Sequence, residues 1–503
     1  MIGNGTTSLK VNSRNFMSWR PYLIILLFSI TFLVYGPLLR KHYAFDTYSA
    51  EAYGNQGNAQ IRDGRFLSGI VIKVFTALGV STVAHQSYLT FLSLCLLTLS
   101  IYLLIRLYFG LVEEWDAKSL LLLCLSCVVS LCNVFILHWF LYPDVVVFMM
   151  TGLLLSIMAV HVLKWSGAKK WFLCYILILV SLSFYQAASV FFVIFGMLFV
   201  SIQKARQSVA STLKEFGILF LTYGFAGISN MLFIKWISTP TSRTDFYHSN
   251  PLNNIISIID NLKMKLENTN LGTIPVYTFI LLVFFLFVFS IMFLWRSSDR
   301  KGLWQTLCIL SILIVGSFAA VFAPHLLTSA VNMSPRSIVA LMSLPCVISL
   351  FLLFQKSLFG RPMFSRLLLG FLLVFFFVNT YITYSVEISR FATNRLDKEI
   401  AKMICLEIMQ HEKETGNTIK KIAAHRDESP TLCYPGLVCY GNFRAMGENE
   451  LVVPIISIVS GRSFNRANMP DDIYNSFFKG KDWNLFNKEQ IMFQGDTLYL
   501  MLY

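Results

Sequence analysis

Apolar runs long enough to cross a bilayer alternate with polar connections from Pro21 to Thr383, and the pattern predicts roughly eleven membrane helices. Their expected bounds are Pro21–Leu39, Gln86–Gly110, Ser119–Leu137, Val145–Leu163, Trp171–Phe184, Ala187–Gln203, Phe216–Ile237, Thr273–Trp295, Leu303–Ala323, Ser337–Phe354 and Leu367–Thr383. The fifth and sixth form one apolar stretch broken only by Tyr185 and Gln186, where a tight turn is expected. Arg40–Thr82, Ser238–Gly272 and the tail from about Glu387 are too polar and too long to be simple turns. Within the first of these, Phe66–Thr82 is apolar but interrupted by Gly69, Lys73 and Gly79, as suits a helix lying on the membrane surface. Within the second, an amphipathic stretch from Ile255 to Leu266 follows Arg243, Asp245, Tyr247 and His248, and it reads equally well as a mobile cover or an inert surface helix.

The tail is about 115 residues long, enough for a small domain over 387–503, after a transmembrane unit over 1–386. Ile400, Met403, Ile404 and Ile408 recur at helical spacing among charges and predict an amphipathic helix. Ile419–Ala424, Leu451–Val459 and Thr497–Leu502 are short and β-prone, so an α/β or α+β fold closing on a terminal strand is expected.

Basic residues fix an orientation. With the amino terminus in the cytoplasm, inside segments hold Lys10, Arg14 and Arg20; Arg106 and Lys118; Lys164, Lys169 and Lys170; Lys204, Arg206 and Lys214; Arg296, Arg300 and Lys301; and Lys356, Arg361 and Arg366. The short connections near His138, Tyr185 and His325 are nearly free of Lys and Arg, Arg336 being the exception. An odd number of spans then puts the tail outside, and merging the fifth and sixth spans would invert every later loop. The first apolar run reads as a signal anchor rather than a cleaved signal peptide.

Composition agrees, with 56% hydrophobic and only 14% charged residues and a mean hydropathy of +0.63, against roughly 25% charged residues in soluble domains. The net charge of +14 does not indicate nucleic acid, because the cations sit beside spans instead of gathering on one face. Most of the ten cysteines lie in or beside spans and act as small apolar residues. Cys433 and Cys439 flank a short loop in the tail, where an oxidising compartment would allow a disulfide.

The first outside loop holds the best candidate chemistry: carboxylates Asp46, Glu51 and Asp63, aromatics Tyr43, Tyr48 and Tyr53, and cations Arg62 and Arg65. A carboxylate at the mouth of a membrane cavity can take a proton from an acceptor hydroxyl while cations stabilise a phosphate leaving group. The alternative is a solvated loop charged only because it is exposed. Arg336, beside a span where an unpaired cation is costly, is a second phosphate ligand candidate. Tyr185 and Gln186 are placed to bind sugar hydroxyls, although topology alone also demands a polar turn there. His138 and Asp144 flank another turn at the same face, with His138 read as an interface anchor beside Trp139 and Tyr142.

Asp46 and Tyr48, the Gly64-Arg65-Phe66 element, the Tyr185-Gln186 turn, the many-span layout and the closing Asp496-Thr-Leu-Tyr-Leu strand together resemble the phage-type serotype-converting O-antigen glucosyltransferases of the enterobacterial inner membrane, within the polytopic GT-C class. The resemblance implies a GT-C-like helical membrane fold. It also implies glucose transfer from undecaprenyl phosphate-glucose to lipid-linked O-antigen at the periplasmic face, without a nucleotide sugar, and a functional link to a donor synthase and a donor flippase. Asp46 would be the general base of an inverting displacement, with Tyr48, Glu51, Asp63, Arg65, Tyr185, Gln186 and Arg336 binding substrate. Many members of that class carry two neighbouring acids here, whereas Thr47 follows Asp46. A second acidic role would fall to Glu51 or Asp63, and a bound divalent metal or other cofactor is not expected.

The competing classes are a transporter or flippase and a polymerase of the same lipid-linked glycans. Transporters place ionisable groups within spans, which are nearly free of charge here. A polymerase would not need the early acidic loop.

Overall fold

A computed structural model describes residues 10–502 apart from 55, 113, 205–207, 238–249, 268–287, 289–299, 327–330, 332, 356–361, 427–431 and 482–485. Its helices in chain order are α1 Ser13–Tyr35, α2 Phe45–Tyr53, α3 Gln56–Arg62, α4 Phe66–Ala77, α5 Gln86–Phe109, α6 Ala117–Leu131, α7 Val134–Phe140, α8 Val146–Val162, α9 Lys169–Phe184, α10 Gln186–Lys204, α11 Val209–Ile237, α12 Pro251–Glu267, α13 Arg300–Leu326, α14 Leu344–Leu353, α15 Pro362–Thr415 and α16 Asn449–Ser460.

Among the described residues six helices are long and apolar enough to cross a membrane, or seven if the bent pair α6 and α7 counts as one. The expected fourth and fifth spans are helices of 17 and 16 residues. The tenth is a 3-10 turn followed by the 10-residue α14. These fall short of the usual crossing length of ~20 residues. The expected eighth span, Thr273–Trp295, lies outside the described residues except for position 288. The third span is not the single helix that hydropathy predicts. It bends by 47° between α6 and α7, because Asn133 leaves the helix and its side chain caps α7 by accepting from the backbone N–H groups of Phe135 and Ile136.

The bundle core lies between α5, α6, α8, α10 and α14 and is built from fully buried Phe, Leu, Ile and Val side chains. The helix breaks between α9 and α10 at Tyr185, whose extended backbone ends α9. The long α15 crosses the expected boundary at residue 386 without interruption. At about 1.5 Å per residue its 54 residues exceed bilayer thickness. Its apolar first half packs on the bundle, and Ile400, Ile404 and Ile408 of its second half are buried in a separate cluster. Met403, expected on the same stripe, is exposed.

That cluster also holds a four-stranded sheet of β3 Lys421–Arg426, β4 Asn465–Arg466, β5 Ile491–Gln494 and β6 Thr497–Leu502; a short antiparallel pairing of β1 Lys10–Asn12 with β2 Glu114–Asp116 lies apart from it. The order is β4-β3-β6-β5, with β3 parallel to both its neighbours and β6 antiparallel to β5. Leu451–Val459, read from composition as a strand, is instead α16. Leu451, Val452, Val453, Ile455 and Ile456 bury against α15 and the sheet, and this packing overrides their β-propensity. Tyr43, Tyr48 and Val83 from the first loop join the same cluster, so the tail and the Asp46 segment share one core.

Candidate active site

The first polar loop folds as three short helices because its backbone is tied down at both ends. His42 is fully buried, with its ring nitrogens 2.9 and 3.0 Å from the carbonyl oxygens of Arg40 and Phe140, to one of which a neutral ring donates. Asn394 of α15 clasps Tyr43 at both its N–H and its carbonyl, and the buried Arg390 donates to the same carbonyl and to that of Gly441. Further on, α3 and α4 meet backbone to backbone. A Cβ added at Gly69 would sit 2.5 Å from the Gly57 carbonyl oxygen, so only glycine permits this approach.

This frame puts Asp46 in the first turn of α2 with its carboxylate largely in solvent. Thr47, next to it, is buried and donates its hydroxyl to Asp144 at 2.6 Å. Gln56, at the start of α3, donates its amide to the other Asp144 oxygen and to the Asp46 carbonyl. Burial pushes the Asp144 carboxyl above the usual carboxylate range. The Thr47 and Gln56 bonds pull it back, and the nearby Asp46 charge adds to the rise.

Opposite Asp46 stands Arg336, with a guanidinium nitrogen 3.7 Å from its carboxylate. The guanidinium lies 4.2 Å over the Tyr142 ring, within the range of a cation–π contact. The Arg336 backbone is fixed as well, its carbonyl accepting from the Trp139 indole at 2.9 Å and from the Tyr185 hydroxyl at 3.4 Å. Burial opposes the charge of Arg336, but Tyr142, Tyr185, Asp46 and Asp63 outweigh it and raise its basicity above the ordinary arginine value. Arg65 reaches the same group, 4.7 Å over the Tyr185 ring and bonded to Gln60 at 3.1 Å. Gln186 donates to the Asp63 carbonyl at 2.9 Å.

Six of the residues singled out from sequence thus converge: Asp46, Asp63, Arg65, Tyr185, Gln186 and Arg336 come from four separate segments. Two do not join them. Tyr48 is 1% exposed and stacks on Tyr43 at 4.6 Å, facing the tail's core. Glu51 points elsewhere on α2 and pairs with Lys41 at 3.0 Å. Gln56 and Tyr142 belong to the site although sequence reasoning assigned them no part in it, and Asp144, marked there only as flanking a turn at the same face as Asp46, belongs to it as well. His138 is buried beside Tyr142 and Tyr440 instead of lying at an interface. Of the Ser238–Gly272 segment, Arg243, Asp245, Tyr247 and His248 lie outside the described residues. Its helix α12 is anchored, since Asn254 donates to the carbonyls of His325 and Leu326.

Arranged in this way, a solvent-facing carboxylate sits beside one arginine, with a second arginine held on the neighbouring aromatic ring. Such a group can accept a proton and neutralise an anionic leaving group side by side. No curated protein matches the chain. Residues 37–354, which span every residue of this cluster, match the family described as glucosyl transferase GtrII, and with well over half its length covered the chain belongs to that family of membrane glycosyltransferases.

Proposed function

We propose that the protein transfers glucose from undecaprenyl phosphate-glucose to a lipid-linked O-antigen unit at the periplasmic face of the bacterial inner membrane, with the amino terminus in the cytoplasm. The Asp46–Arg336 pair carries this reading. In the resting protein Arg336 neutralises the carboxylate. A donor phosphate arriving at Arg336 competes for it and releases Asp46 to act as base. Asp46 then takes the proton from the acceptor hydroxyl as the hydroxyl oxygen bonds to the anomeric carbon. The bond from that carbon to the phosphate oxygen breaks, and Arg336 and Arg65 stabilise the departing polyprenyl phosphate. Tyr185, Gln186 and Asp63 line the same place and are suited to sugar hydroxyls.

Expression of wild type and Asp46→Asn in a host that supplies the lipid-linked donor, followed by mass spectrometry of the glycan, tests the proposal. The expected result is an added hexose in wild type that is absent from the variant at equal membrane levels. Unaltered modification by the variant removes Asp46 from the role of base.

A further inference from the structure

Where the third span breaks, the groups it frees meet the Arg336 segment. The Ser130 carbonyl near the end of α6 would take the N–H of Val134 in an unbroken helix, but that N–H turns to Asn379 Oδ1 at 3.4 Å. The carbonyl accepts instead from the Asn133 amide at 3.0 Å and from the hydroxyl of Ser343, a few residues after Arg336, at 2.8 Å. Beyond the break, Trp139 of α7 donates its indole N–H to the Arg336 carbonyl at 2.9 Å, and the Tyr142 ring lies 4.2 Å from the Arg336 guanidinium. A bond from the Tyr142 N–H to the Trp139 carbonyl at 3.0 Å holds these two in one turn.

Arg336 itself stands in a tight turn, in which the Ser337 N–H and hydroxyl both donate to the Ser334 carbonyl, at 2.9 and 2.8 Å. Those bonds fix the shape of the turn but not how it sits on the bundle, which depends on what grips it from outside. The Tyr185 hydroxyl reaches the Arg336 carbonyl only at 3.4 Å, beyond the ordinary O–H···O range of about 2.5–3.0 Å. The indole bond is of ordinary length, and its donor is immobile: Trp139 is fully buried and meets the Tyr185 ring edge-on at 5.4 Å. A buried indole N–H needs an acceptor, and the Arg336 carbonyl is that acceptor.

The bend is what brings Trp139 there. Six residues past Asn133 is about 9 Å along a helix, so the 47° bend carries Trp139 about 7 Å from where a straight span would put it.

We propose that Trp139 is a positioning residue for the transfer reaction: its N–H sets the Arg336 turn so that the guanidinium meets the donor phosphate, and the break at Asn133 presents it. The proposal rests on Arg336 binding that phosphate, as argued above.

The test reads phosphate binding and transfer separately, on the full chain in nanodiscs. Farnesyl phosphate, with farnesol as the uncharged control, is titrated against wild type, Arg336→Ala, Trp139→Phe and the double variant. Trp139→Phe keeps an aromatic ring beside Tyr185 and removes the N–H. Its affinity for farnesyl phosphate is expected to fall about fivefold, the size of one hydrogen bond, with farnesol binding unchanged. In the Arg336→Ala background the same change should have no further effect, because a residue that acts only through another adds nothing once that other is gone. In transfer assays donor KM should rise by a similar factor while acceptor KM stays the same. If the Phe variant does not reach the membrane, 3-benzothienylalanine in place of Trp139, which keeps the shape with sulfur instead of the N–H, gives the same readout.

Full affinity without the N–H, an equal loss for farnesol, or a loss as large in the Arg336→Ala background as in wild type overturns the proposal and leaves the reading of Arg336 intact. Equal binding of farnesyl phosphate by wild type and Arg336→Ala takes Arg336 away from the phosphate and overturns both.

Discussion

Thr47 and Asp144, 97 positions apart, are joined by a 2.6 Å bond from hydroxyl to carboxylate, which fastens the helix carrying Asp46 to the turn between α7 and α8. Both are buried, and the Thr47 hydroxyl also receives the N–H of Ala44, closing the start of α2. The position of the proposed base is therefore set by a residue that does not itself reach solvent.

Thr47→Val keeps the shape of the side chain but leaves Asp144 short of a donor and opens the first turn of α2. A buried acceptor without its partner costs about 1–3 kcal/mol, and much of that is expected as misplacement of Asp46. Transfer assays on the purified protein should show kcat lower by about 10–100-fold with donor KM within about threefold. Thr47→Ser, which restores the hydroxyl, should recover most of it. Equal activity of the Val and Ser variants would leave the bond without a role in catalysis.

Arg336→Lys tests whether charge alone suffices at that position. Lysine retains the cation but cannot lie flat on Tyr142 or present two donors in one plane. Loss of about 2 kcal/mol of donor phosphate binding corresponds to a rise in donor KM of roughly 30-fold. Arg336→Ala should also lower kcat, because the leaving phosphate loses its partner. A lysine variant with wild-type kinetics would show that the stacking on Tyr142 contributes nothing.

Hydropathy and charge spacing made the bundle legible, since an apolar run, or the Tyr185 break between two runs, is a local property of the sequence. They also marked Asp46 and Arg336, because a charge beside a membrane helix stands out against its surroundings. What the sequence concealed depends on distant contacts. Asn133 bends the third span by capping α7, a choice visible only once the flanking helices are packed. Leu451–Val459 is β-prone in isolation and becomes helical against α15. Asp144, Gln56 and Tyr142 enter the site from loops whose neighbours are set by the fold, whereas Tyr48 turns away because residues two apart on a helix face different directions.

His42 makes stability at the junction depend on pH. Burial, aided by the nearby Arg390 charge, lowers its ring to about 4, opposed by the two carbonyls facing it, both of which only the protonated ring could satisfy. The folded state therefore holds the neutral ring, and the unfolded chain, titrating near pH 6.5, takes up the proton first. Stability is fully present above pH ~6.5 and declines as pH falls from there toward 4, by up to about 3 kcal/mol. Thermal unfolding in detergent from pH 7.5 to 4.5 should show a falling midpoint that flattens in His42→Gln. An unchanged slope in that variant would assign the acid sensitivity to other groups.

Cys433 and Cys439 form a disulfide around a loop that holds the tail against α15. Inside the loop Tyr434 donates its hydroxyl to the buried Asp397 at 2.9 Å, and the Val438 N–H donates to Ser389 at 3.0 Å. Just beyond it the Gly441 carbonyl receives Arg390, the same guanidinium that holds the Tyr43 carbonyl three residues before Asp46. Closing a loop this short removes about 2 kcal/mol of unfolded-state entropy. Cys433→Ser/Cys439→Ser should therefore unfold at a lower temperature, and reductant should lower the wild-type midpoint toward that of the double variant without moving the variant's own. Because the loop reaches Asp46 only through Arg390 and Tyr43, transfer should fall by less than about tenfold, far less than in Asp46→Asn. An equal loss in the two variants would mean that the loop contributes to the reaction directly.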